Sequence, residues 1–206
     1  CMHPYYKGGV EGFWHHEATG FAGGKWPWAI VTYHEKKPDS EVATKREMTI
    51  AGLKQAAAMW NTEKKDDYYV GKAAYKHWIE WLKKTETMKP EEIKAGMQGN
   101  GWCYDILVHT RTIAAKWLKA NAGMFKPEVA AELKMASNSY AQIAELLMKD
   151  YDCPWKLAMP PQEFEKWIPD LRKEQLARLQ AARKLDQEAI NSIEKALTHL
   201  NIVRLD

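Results

Sequence analysis

The chain has few of the residues from which self-contained reactive centres are built. Of its 206 residues only three are cysteine (Cys1, Cys103 and Cys153), an odd number that makes no disulfide framework and fits a reducing, cytoplasmic setting. No Cys-x-x-Cys, His-Glu-x-x-His or Glu-x-x-His occurs, which removes the common zinc and di-iron carboxylate patterns. Neither Gly-x-Ser-x-Gly nor Gly-x-x-x-x-Gly-Lys-Ser/Thr is present, so neither a nucleophile elbow nor a P-loop is expected. No apolar run approaches the roughly 20 residues a membrane-crossing helix needs. Charge of one sign is also missing. Thirty Lys and Arg stand against 27 Asp and Glu, a formal charge of +3, too near neutrality to point to nucleic acid.

What is present is an unusual aromatic mix, ten Trp and nine Tyr beside four Phe, which supplies large apolar surfaces with polar tips. Residues 1–38 are rich in glycine and aromatics, and Ala29–Tyr33 is an apolar, β-branched run bounded by Pro27 and Pro38, which reads as one strand. A lone strand needs a neighbour, so pairing with residues 1–25, with a preceding part or with a second copy is expected.

From Asp39 onward helical periodicity dominates. Asp39 or Ser40 is placed to cap a segment running to Trp60, with Ile50, Leu53, Ala57 and Trp60 on one face. The charged run Glu63–Asp67 reads as a solvated loop and cap for a second helix to Lys84, with Val70, Ala74, Trp78 and Trp81 in register. Pro90 opens a short helix that Gly96, Gly99 and Gly101 are expected to end. A further helix runs from Trp102 to Asn121, with Ile106, Thr110, Ile113 and Trp117 as its apolar face. The segment from Pro127 to Lys149 has the cleanest amphipathic pattern: Val129, Leu133, Ala136, Tyr140, Ile143 and Leu147. Pro169 breaks or starts the last helix. The expected fold is therefore mainly α: an antiparallel or orthogonal array of about five helices in residues 39–206, preceded by the Gly/Trp-rich segment and its strand.

Candidate chemistry is sparse. His77 and Glu80 lie three apart and Asp105 and His109 four apart, so each pair shares a helix face. A local Asp105–His109 hydrogen bond is the expectation, and no metal site or cofactor is assigned. His15-His16-Glu17 diverges in either regular structure. Trp60, Trp78, Trp81, Trp102 and Trp117 are distributed over three helices, either as core or as the lining of an apolar pocket. The candidate pocket set is Tyr75, Trp78, Trp81, Trp102, Asp105 and His109. Cys1 at the first position has two readings. One is a chain that starts inside a longer protein; the other is a processed N-terminal nucleophile with His3, His15 or His16 as base.

Several landmarks recur together: Trp26-Pro27-Trp28-Ala29-Ile30-Val31, Glu35-Lys36-Lys37-Pro38, the run from Tyr68 to Ile79 with Gly71, Ala74, Tyr75 and Trp78, and Tyr104–Arg111 leading to Ala114–Leu118. Over residues 24–200 the chain resembles the C-terminal helical half of papain-like proteins related to the butirosin biosynthesis protein H group. The resemblance implies a cysteine-peptidase-like or acyltransferase-like protein whose catalytic Cys and His lie in an α/β part upstream of Cys1. No catalytic residue of that family maps onto this sequence. The alternative is a non-catalytic helical domain that binds a small molecule or peptide, or packs against a partner chain.

Overall fold

The computed structural model describes residues 42–159 and 164–200. The expected strand, Cys1, His3, His15 and His16 lie outside the described residues. Within them the fold is mainly α, with six α-helices and one two-stranded antiparallel ribbon.

Helix α1 (Lys45–Asn61) starts at Thr44, not at the earlier Asp39 or Ser40, because Thr44 and Glu47 satisfy each other's backbone. The Glu47 amide donates to Thr44 Oγ1 at 3.2 Å, and the Thr44 amide donates to the Glu47 carboxylate at 2.8 Å. The charged run after α1 is a small hairpin instead of a plain loop: β1 (Lys64–Lys65) pairs with β2 (Tyr68–Tyr69) across Asp66, whose φ is 53°. A short Asp side chain tolerates that left-handed backbone. Helix α2 (Gly71–Lys84) then begins at a glycine with φ 52°. A Cβ on Gly71 would collide with the carbonyl of Met59 and with Trp60, so glycine here lets the start of α2 press against the end of α1.

The largest departure from the sequence expectation is helix α3 (Pro90–Ala122), one continuous helix of 33 residues where two were expected. Gly96 and Gly101 do not end it. A Cβ on Gly96 would run into the Trp81 ring, and one on Gly101 would sit 2.7 Å from Met159 Cβ. Both glycines are sites of close approach. Their propensity cost of about 1 kcal/mol each is offset by tertiary packing. The buried face of α3 is also displaced from the expected one. Ile93, Met97, Tyr104, Leu107, Val108, Ala115, Leu118 and Ala122 are buried, whereas Ile106, Thr110, Ile113 and Trp117 are exposed.

Helix α4 (Pro127–Met148) buries all six residues read from its pattern. A short helix α5 (Trp155–Ala158) and a 3₁₀ turn (Phe164–Lys166) precede α6 (Pro169–His199), which Pro169 starts. Helix α4 packs along both α3 and α6, and α1 and α2 lean on α6. The core lies between them around Leu133, Ala136, Ile143, Leu179, Ala189 and Ile193. Arg178 of α6 closes the end of α4 by donating to the carbonyls of Leu146 at 3.0 Å and Lys149 at 2.6 Å, groups that a helix terminus leaves without partners. No helix among the described residues is long and apolar enough to cross a membrane.

Candidate functional site

The most polar point of the interior is Asp186, on the face of α6 that otherwise carries Ala182, Ala189 and Ile193. Its side chain is 1% exposed. Arg111 of α3 answers it in a two-pronged pair, Nε donating to Oδ1 and Nη2 to Oδ2, both at 2.8 Å. The Tyr75 hydroxyl of α2 donates to Oδ2 at 2.7 Å. The guanidinium also stands 5.2 Å from the ring centre of Tyr140 on α4. Four helices thus converge on one buried charge pair.

Protonation equilibria follow from this burial. Burial, reinforced by the adjacent Asp186 carboxylate, lifts the Tyr75 hydroxyl well above its ordinary range. Burial likewise pushes Tyr140 up to about 12, although the Arg111 charge opposes it. Burial works to lower the Arg111 pKa, but the Asp186 carboxylate overrides it and holds the guanidinium above its usual value.

Beside this network opens a cavity of about 410 Å³. Its walls are Gly52, Leu53 and Ala56 of α1, Thr110 to Leu118 of α3 (through Arg111, Ile113, Ala114 and Trp117), Tyr140 of α4 and Ile193 of α6. Small side chains explain the space: Gly52 and Ala56 on α1 face Ala114 on α3. A Cβ on Gly52 would reach only van der Waals distance from the Trp117 ring, 3.6 Å. The lining is apolar except at the Arg111 end. Two of the five guanidinium N–H groups are spent on Asp186.

The residues singled out from sequence are dispersed. Tyr75 belongs to the Asp186 network but does not line the cavity. Trp78 donates through Nε1 to Asn100 Oδ1 at 2.7 Å, within a second buried cluster in which Asn100 also donates to the Ala158 carbonyl and exchanges bonds with Gln175. Trp81 stacks on Trp167, with ring centres 5.9 Å apart. Trp102 meets Trp155 edge-on at 5.2 Å. Asp105 and His109 approach to 3.3 Å at the surface. Of the tryptophans considered, Trp117 lines the cavity.

Sequence reasoning missed Arg111, Asp186, Tyr140 and the small residues of α1. The available signal was Asp186 itself, an acid at helical spacing inside an apolar face (Ala182, Asp186, Ala189, Ile193). Cys103 and Cys153 are free thiols, and burial raises the Cys103 pKa, away from a reactive thiolate. Among the described residues no group of three or more His, Cys, Asp or Glu is placed to hold a metal ion.

The fold and site thus define a mainly α domain with an apolar cavity over a buried ion pair. No protein-family model matches the chain, and no curated protein or solved structure matches it either.

Proposed function

We propose that this chain is a non-catalytic helical ligand-binding domain whose cavity between α1 and α3 takes a small neutral molecule with an aromatic or aliphatic body and one acceptor oxygen. The observation that carries this reading is the cavity of about 410 Å³, apolar along Gly52, Ala56, Ala114 and Trp117 and bordered at one end by Arg111. That volume is within the range of small-molecule sites. The guanidinium charge is already matched by Asp186, so the cavity offers no net charge to a charged ligand, whose desolvation would go unrepaid. The remaining guanidinium N–H groups supply an orienting donor, and the Trp117 ring a flat apolar surface.

The reading as the helical portion of a cysteine-peptidase-like protein rests on the sequence landmarks alone. Its catalytic pair would lie upstream of Cys1, and no described residue adds to it.

The test is an NMR titration of the chain's indole N–H resonances, with Trp117 assigned by Trp117→Phe, against indole, phenol, cyclohexanone and benzoate. The neutral probes should shift the Trp117 resonance, benzoate should do so least, and Ala114→Phe should abolish the shifts. No response from Trp117 to any neutral probe, or shifts that survive Ala114→Phe, would overturn the proposal.

A further inference from the structure

Helix α3 is apolar on two faces, and among the described residues the second is covered only in part, by Trp155 against Trp102 and by the cavity wall at Ile113 and Trp117. On this second face Trp102, Ile106, Ile113 and Trp117 are 43%, 54%, 65% and 39% exposed. Large apolar side chains exposed along one helix face mark a contact surface more often than an idle one. The spacing is symmetric: Trp, four residues on Ile, seven on Ile, four on Trp, about a midpoint between His109 and Thr110. From Trp102 to Trp117 the stripe spans about 22 Å at the helical rise.

From this symmetry we infer that the α3 stripe is an isologous contact for a second copy of this chain, with the two α3 helices antiparallel. A twofold axis at the midpoint places Trp102 against the second copy's Trp117, and Ile106 against its Ile113, at both ends at once. An unrelated partner would give the stripe no reason to read the same in both directions.

Charge agrees with the same arrangement. Asp105 and Lys116 lie on one flank of the stripe, and a twofold axis across antiparallel helices brings like flanks together. Asp105 of one copy then falls two residues, about 3 Å along the axis, from Lys116 of the other. The match occurs twice. A parallel pairing would instead set this flank against the opposite one and leave Asp105 and Lys116 apart. Within one copy Asp105 also lies 3.3 Å from His109 Nε2.

The four side chains leave on the order of 400 Å² per copy to be covered, as large side chains of this exposure do. The total of about 800 Å² for the two copies falls below the standard size of a specific interface, so the association is weak and concentration-dependent. Ile113 and Trp117 also border the cavity, whereas Trp102 and Ile106 lie outside it, so Ile106→Lys tests the dimer apart from the ligand reading.

Sedimentation equilibrium of the full chain, without ligand, from low micromolar to sub-millimolar concentration tests it. The mass should rise from 23.7 kDa toward twice that value. Ile106→Lys and Ile113→Lys alter exposed positions, so far-UV circular dichroism and the thermal midpoint should be unchanged. Each should raise the dissociation constant on the order of a hundredfold, since every substitution enters the dimer twice. Asp105→Lys should weaken the dimer, and adding Lys116→Asp should restore it. A mass fixed at 23.7 kDa at every concentration, a dimer indifferent to Ile113→Lys, or a charge swap that fails to restore association would overturn the inference.

Discussion

Removing Arg111 is the most informative single perturbation of this fold. In Arg111→Leu, Asp186 stays almost fully buried and loses both charge-assisted bonds, while Tyr75 still donates its one bond at 2.7 Å. Breaking a buried ion pair from one side costs about 3–5 kcal/mol, and the surviving Tyr75 bond places this case near the lower end, about 3 kcal/mol. Asp186→Leu should cost somewhat less, about 2–3 kcal/mol, because Arg111 borders the cavity and its orphaned charge can be hydrated there. The double variant should lie within about 2 kcal/mol of the parent, since two apolar side chains replace the pair and only the Tyr75 hydroxyl is left without its acceptor. Adding Tyr75→Phe should recover part of that remainder. Urea unfolding followed by far-UV circular dichroism gives the four corners of the cycle as shifts in midpoint at constant slope. The expected signature is strong non-additivity, with the double variant more stable than either single one. If the two single losses simply add, Arg111 and Asp186 are not energetically coupled and the reasoning fails.

Two glycines should respond in opposite directions. Gly52→Ala is expected to stabilise by roughly 0.5–1 kcal/mol, because its new methyl meets Trp117 at ordinary contact distance in mid-helix; a lowered urea midpoint would refute this. Gly71→Ala should destabilise by about 2 kcal/mol or more, since φ is 52° and the methyl would strike Met59 and Trp60; a neutral effect would show that the junction of α1 and α2 yields freely. Alkaline pH should unfold the protein through its buried tyrosines. Their pKa values are raised in the fold, Tyr140 to about 12, so the stability they contribute is full below the unfolded value near 10 and declines as pH rises from there through the folded value. Thermal midpoints should fall above about pH 10, less steeply in Tyr140→Phe, and parallel curves would contradict the assignment. Asn100→Leu should cost about 2–4 kcal/mol by stranding Trp78 Nε1 and Gln175 together; a loss below about 1 kcal/mol would show that water replaces the amide.

Helix α3 shows what could be read from sequence and what could not. Helix α4 was legible residue by residue because it is wedged between α3 and α6, so its apolar positions form one unbroken stripe whose polar complement faces out. Helix α3 carries two stripes at helical spacing: Tyr104, Leu107, Val108, Ala115 and Leu118 facing inward, and Trp102, Ile106, Ile113 and Trp117 facing outward. Periodicity weighs both equally, and the second, richer in bulky aromatic and β-branched side chains, reads as the stronger core face. Only the neighbouring helices decide. They choose the first stripe because it brings Arg111 to Asp186, more than 70 residues away in sequence, and seats Gly101 against Met159. The same long-range contacts explain why glycines that resemble breaks are passed through intact, and why the cavity, framed by Gly52, Ala56 and Ala114, takes Trp117 but not Trp60, Trp78, Trp81 or Trp102 into its wall. A bulky side chain announces surface to be covered; a pocket is announced by side chains that are small, and smallness has meaning only opposite something. The outward stripe of α3 is the converse case. Its aromatic and β-branched residues declare apolar surface that the described fold leaves exposed, and their two-way spacing is intelligible once the covering surface is taken to be the same helix from a second copy.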